Sequence, residues 1–234
     1  TQNHEILILG WDDSFSRFLF AQTPDQDGAF ICQNSWGEDF GNQGIFYVSY
    51  ADANIARTAM AYTKIEPADN YDRIYQTDDC GWRGRQGYDD GECWFANVYR
   101  AGEGEQLAAA GFYAVGEDTS YELYLVETPS GTADFSKRRL LKRGTFRWSG
   151  YYTVELSEEI PLRDGDRFAL LVHINTPDVK NPVAVEYRGD PDAKNVTTDG
   201  KYGFISRDGN DWDHTEEKYG SNVCLKAYTH RADE

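Results

Sequence analysis

Two apolar runs near the start of the chain, each ending in a polar group, restrict the fold more than any other feature. Asn3-His4-Glu5-Ile6-Leu7-Ile8-Leu9-Gly10-Trp11 opens a β-like run with a histidine. Gln33-Asn34-Ser35-Trp36-Gly37-Glu38-Asp39-Phe40-Gly41-Asn42-Gln43-Gly44 closes a second run, 29–32, with a carboxamide, an indole and a glycine-punctuated loop. A histidine at a strand start is, alone, an ordinary polar residue. Asn-Ser-Trp-Gly after an apolar strand changes that reading. Residues 6–9, 18–21, 29–32 and 45–50 read as strands and little reads as helix, which amounts to half of a barrel. Such a half has open edges and an apolar face that needs a partner.

Three parts in this order resemble the papain-like cysteine peptidases: His4 with Gly10-Trp11, Asn34 with Ser35-Trp36-Gly37, and Gly41-Asn42-Gln43-Gly44-Ile45-Phe46. The resemblance implies that His4 is the catalytic imidazole, that Asn34 orients it and that Trp36 shields their hydrogen bond. Two departures stand out. Glu5 takes the place of a small apolar residue, and an insert at 12–28, expected as a surface loop, lengthens the path from His4 to Asn34. The larger departure is the nucleophile. In that family the cysteine lies some ~130 to 150 residues before the His and Asn, so His4 leaves no room for it. Cys32 lies in Ala29-Phe30-Ile31-Cys32 and reads as a buried, inert thiol, because reactive thiols need a helix N-terminus or a cationic neighbour. The expectation is a C-terminal portion of a longer enzyme, inactive alone and completed by the missing N-terminal half of the peptidase domain.

Composition narrows the alternatives. Forty acidic against twenty-three basic residues give a formal charge of -17, which argues against a nucleic-acid partner. Aromatic residues make up 15 % of the chain and methionine occurs once, a bias that suits strands. No run reaches the ~18 to 20 apolar residues of a membrane helix, so the chain is not expected to be transmembrane. Glu66-Pro67-Ala68-Asp69-Asn70 has turn chemistry without apolar periodicity. It divides the chain into 1–66, the peptidase part, and 67–234.

The second part is read as an antiparallel β-sandwich or jelly roll, from short period-two runs at 94–99, 105–113, 120–127, 151–156, 167–175, 183–188, 203–206 and 222–229. The runs beginning at Trp94, Glu105, Gly150, Gly165, Gly203 and Asn222 resemble the lectin-like domain that follows the catalytic domain in some secreted prokaryotic papain-like peptidases. That resemblance implies a fold and does not establish sugar binding. Within the acidic stretch 78–92, Asp78, Asp79, Asp89, Asp90 and Glu92 are hard oxygen donors suited to a structural Ca²⁺, against the plainer reading of a solvated acidic loop. Cys80 and Cys93 could pair as a disulfide in an extracellular chain. Trp82, Trp94 and Trp148 could stack on sugar rings or fill a core. His173, His214 and His230 show no ligand spacing.

The expected function is peptide-bond hydrolysis on a polypeptide substrate by a secreted or cell-surface prokaryotic cysteine endopeptidase, with no cofactor required for catalysis. The alternative is a non-catalytic module, carrying a peptidase remnant, that binds a carbohydrate or cell-wall ligand.

Overall fold

A computed structural model describes residues 4–57, 59–189 and 193–232. The chain is mainly β, all its paired strands are antiparallel, and it divides into two compact units, Thr1–Lys64 and Ile65–Glu234.

The first unit is a three-stranded meander of β1 (Leu7–Asp12), β2 (Ala29–Gln33) and β3 (Ile45–Ser49), in sequence order. Leu7 pairs with Gln33 and Ala29 with Ser49, so β2 is central. Its Ala29 and Cys32 are buried, while Leu7, Leu9, Trp11, Phe18 and Leu19 are exposed by half or more. That much apolar surface on so small a sheet is what a docking face looks like. The run 18–21 is not a strand: Arg17–Leu19 is a 3-10 turn whose Ser16 hydroxyl accepts the Phe18 amide. Arg17 anchors it, its amide donating to Asp27 and its guanidinium to the Asp25 carbonyl. No ladder partner reaches this segment, and a strand needs one. Residues 60–65 form no strand either, and Met60, Tyr62 and Ile65 are at least 80% exposed.

In the second unit the described strands are β4 (Arg73–Tyr75), β5 (Gly84–Gln86), β6 (Glu92–Arg100), β7 (Glu105–Ala114), β8 (Thr119–Glu127), β9 (Arg139–Phe146), β10 (Gly150–Pro161), β11 (Arg167–Asn175), β12 (Val183–Tyr187), β13 (Gly203–Ser206), β14 (Asp213–His214), β15 (Ser221–Val223) and β16 (Leu225–Arg231), with a short helix α1 (Thr215–Tyr219). The order β14-β13-β6-β11-β8-β9 makes one sheet, β10-β7-β16-β4 another and β15-β12-β5 a third. Consecutive strands β6 and β7 lie in different sheets, the crossing expected of a sandwich.

Alternation within β6 and β11 shows how the layers form. Cys93, Phe95, Phe168, Leu170 and Val172 enter the main core beside Leu107, Phe112 and Leu225 of the four-stranded sheet. The intervening Ala96, Val98, Ala169 and Leu171 face the other way, under Phe135 of the 3-10 turn Thr132–Lys137, with Phe204 and Trp212 edge-on to that ring. Fully burying one such leucine or phenylalanine is worth about 1.5–3 kcal/mol.

The run expected as one strand over 222–229 splits at Cys224, where the chain leaves β12's sheet for β7's. Asn97, fully buried in β6, makes that switch affordable in polar terms. Its Nδ2 donates to the Val223 and Leu225 carbonyls that flank the break, and Tyr99 also donates to Leu225. Before β4, His230 binds the preceding segment: Nε2 lies 2.8 Å from the Asn70 carbonyl and Nδ1 2.7 Å from Glu159, with Tyr71 stacked on the ring. These acceptors, the Asn70 carbonyl first and Glu159 next, raise the imidazole above its ordinary 6.5. A raised folded value means the clasp stabilises fully below about 6.5 and is lost as pH rises through the folded value. The melting-temperature advantage of the wild type over His230→Gln is therefore expected to be largest below pH 6.5 and to shrink above it. A difference independent of pH would contradict this.

Candidate active site

Antiparallel pairing of β1 with β2 brings the histidine and the carboxamide together. With Leu7 opposite Gln33, the residues just before β1 run beside those just after β2. His4 Nε2 lies 2.9 Å from Asn34 Oδ1. A carbonyl oxygen only accepts, so Nε2 carries the hydrogen and Nδ1 is left as the ring's proton acceptor. Asn34 is 8% exposed, whereas His4 is open to solvent.

The loop after β2 holds this arrangement. Asn34 donates its amide to the Gly44 carbonyl, Gly44 donates to Phe40, and Asn42 and Ile45 exchange backbone bonds. Such a tight return needs left-handed backbone at Gly37, Gly41, Gln43 and Gly44. A Cβ on Gly41 would sit 2.3 Å from the Ile45 carbonyl oxygen, so no other residue fits. Trp36 lies over His4, ring centroids 5.1 Å apart, and is itself braced edge-on by Phe40, which rests on Phe46. Although 65% exposed overall, the indole covers one face of the imidazole and keeps water from that side.

No thiol of the chain reads as the nucleophile of this pair. Cys32 is wholly buried between Ile8 and Phe46, and burial raises its thiol. In the insert 12–28, hydrogen bonds from Ser14 lower Asp12, and Tyr50, donating to Asp13, is raised to about 12, chiefly by desolvation.

Residues 74–229 match the family described as lectin like domain, and residues 1–64 match papain family cysteine protease. The chain is a papain-family segment joined to a lectin-like domain. The clostridial cysteine protease Cwp84, solved after propeptide cleavage, superposes with a TM-score of 0.80 at 25% identity over 97% of this chain and 58% of that one. The cysteine protease and lectin-like domains of Cwp84, described as a surface layer associated protein of Clostridium difficile, give 0.77 at 24% identity over 97% of this chain and 51% of that one. The chain thus spans little more than half the length of the solved chains it matches. No curated protein matches it.

In the lectin-like domain the acidic residues of 78–92 do not converge. Among the described residues no three His, Cys, Asp or Glu side chains are placed to hold a metal ion. Asp78 is buried and paired with Lys226 at 2.8 Å; Asp79 accepts from Gln76; Asp90 accepts the Glu92 amide; Glu92 itself meets His173 at 2.8 Å; and the Asp89 amide donates to Asn181. Lys226 supplies a positive charge beside Asp78, and His173 gives Glu92 a hydrogen-bond partner, where a cation was expected.

The disulfide expected between Cys80 and Cys93 is also absent, all four cysteines being free. Cys93 points into the core, where burial first and Asp90 next push its thiol up to about 12. Cys80 is exposed in the loop before β5, its amide held by Glu186. Trp94 is packed rather than offered, stacked on His173 at 4.4 Å beneath the Arg138 guanidinium, while Trp82 and Trp148 are exposed. Among the described residues no helix is long and apolar enough to cross a membrane.

Sequence reading missed the partners Lys226 and His173. Their signal was their register on the outer sheet faces, which becomes visible only once the strands are paired.

Proposed function

We propose that this chain is the His/Asn-bearing C-terminal portion of a secreted or cell-surface cysteine endopeptidase, followed by its lectin-like domain. The observation that carries the reading is the 2.9 Å bond from His4 Nε2 to Asn34 Oδ1, which leaves Nδ1 as the ring's proton-accepting nitrogen. A cysteine on the complementary half of the peptidase domain gives its proton to Nδ1, forming a thiolate–imidazolium pair. The thiolate attacks the scissile carbonyl. The imidazolium then protonates the leaving amine, and a water activated by the same nitrogen hydrolyses the acyl-enzyme.

Asn34 holds the ring plane through both proton transfers, and Trp36 limits solvent competition for its hydrogen bond. The exposed apolar residues Leu7, Leu9, Trp11, Phe18 and Leu19 fit a surface that the complementary half covers. The surface-layer association of Cwp84 supports the proposed location.

The test is hydrolysis of a fluorogenic peptide by the 234-residue chain and by the intact protein. The chain alone is expected to show no turnover above background, and the intact protein to be active and blocked by thiol alkylation. Thiol-dependent turnover by the chain alone would contradict the assignment. So would activity of the intact protein that survives alkylation.

A further inference from the structure

Two terminal strands of the second unit lie on the same side of it and carry opposite charges. β9 ends the six-stranded sheet and β10 ends the four-stranded sheet, so each has an edge with no ladder partner. They run antiparallel beside one another across the sandwich. Phe146 stacks on Tyr152, ring centroids 3.9 Å apart, and Lys142 Nζ donates to the Glu155 carbonyl at 2.6 Å. Counting three residues back along β9 and three on along β10 brings Arg139 level with Glu158.

The charges separate cleanly between the two edges. In a chain of charge -17, the stretch 137–147 holds Lys137, Arg138, Arg139, Lys142, Arg143 and Arg147 and no acid, whereas β10 holds Glu155, Glu158 and Glu159 and no base. Arg139, Lys142, Glu155 and Glu158 are all exposed. The ladder from β10 to β7 breaks between Glu155 and Ile160, and such a bulge turns its side chains away from the sheet. Arg139 does meet Glu127 at 3.5 Å, but both side chains are about half exposed, and a pair of that kind holds weakly.

Open edges of this length invite another chain. Two β9 edges repel one another, and so do two β10 edges; β9 against β10 is the one self-pairing that the charges favour. We propose that this side of the unit docks a second copy of the chain, with β9 of each copy lying over β10 of the other. A two-fold axis parallel to the strands and midway between them produces that contact. It keeps level residues level, so Arg139 of one copy meets Glu158 of the other and Lys142 meets Glu155, each pair occurring twice. The arrangement closes at two copies. The contact is made by side chains and adds no ladder bonds. Trp148, 57% exposed in the turn between the strands with the Arg147 guanidinium 4.9 Å from its ring centroid, comes to one end of the axis and meets its counterpart, the role in which interfaces favour tryptophan. This inference is independent of the peptidase chemistry.

Sedimentation velocity on the full chain tests it. The wild type is expected to dimerise at low ionic strength and to dissociate in about 1 M salt, where charges are screened beyond about 3 Å. Arg139→Glu/Lys142→Glu makes both edges acidic and Glu155→Lys/Glu158→Lys makes both basic, so each variant alone should self-associate about tenfold or more weakly. An equimolar mixture of the two should associate as the wild type does, since acidic edges then meet basic ones. Association through any other surface, the apolar face of the first unit included, would not respond to these changes in that way. Should either charge variant fail to fold, Trp148→Ser reads the same contact and is expected to weaken it as well. A wild type that stays monomeric at low salt, folded variants that associate like the wild type, or a mixture that associates no better than its components would overturn the proposal.

Discussion

Alanine at His4 in the intact protein is expected to lower kcat/KM by at least about 10⁴-fold, because in the proposed mechanism one ring performs every proton transfer. The imidazole is solvent-exposed and outside the buried core, so the variant should melt within a degree or so of the wild type, separating chemistry from folding. Alanine at Asn34 should cost less. Its carboxamide makes one hydrogen bond to the ring, charge-assisted when the ring is imidazolium, and such bonds contribute about 1.5–3 kcal/mol. That corresponds to about 10- to 150-fold in rate. Equal losses at the two positions would mean that Asn34 does more than orient, and near-normal activity of His4→Ala would remove the histidine from the mechanism.

The largest stability effect is expected at Lys226. Asp78 has a fully buried side chain whose charge is compensated by the Lys226 ammonium, itself 14% exposed. Burial raises the Asp78 carboxyl above 3.8, and Lys226 pulls in the opposite direction. Asp78 Oδ1 has no hydrogen-bond partner, so there is no second donor in reserve.

Replacing Lys226 with methionine keeps the stem's packing and strands the carboxylate, a change that costs about 3–5 kcal/mol when a buried pair is broken from one side. The sign with pH follows from the raised value. The stability linked to Asp78 is complete below 3.8 and is lost as pH rises through the folded value, which moves higher still without Lys226. Urea unfolding should therefore show Lys226→Met far below wild type at pH 7 and much closer to it near pH 4, with Asp78→Asn/Lys226→Met recovering most of the loss at pH 7. A deficit of the same size at both pH values would show that packing, rather than the buried charge, was lost.

Much of this was legible in the sequence where local pattern and tertiary role coincide. β8 alternates buried with exposed or half-buried residues, while β6, β7 and β11 are covered on both faces and stand out in the sequence as nearly continuous apolar runs. His4 and Asn34 were legible because an antiparallel hairpin needs only strand pairing to join its ends.

What escaped depends on partners distant in sequence. β9 reads as charge, Arg139-Leu140-Leu141-Lys142-Arg143, because it is an edge strand paired on one side only to β8, where basic residues discourage further pairing. β5 lay hidden in a glycine-rich acidic stretch, since three residues carry too little periodicity to register. The acidic run 78–92 suggested a cation because one-dimensional reading counts carboxylates but not the Lys226 that β16 brings beside Asp78, nor the His173 that β11 brings beside Glu92. Cys80 and Cys93 looked pairable for the same reason. Spacing does not reveal that one faces solvent while the other faces the core.

A crystal structure of the intact protein tests the central claim most directly. The account predicts a cysteine sulfur from the complementary half of the peptidase domain within hydrogen-bond reach of His4 Nδ1, with Nε2 still bonded to Asn34. A sulfur approaching Nε2, or no cysteine near the ring at all, would contradict it.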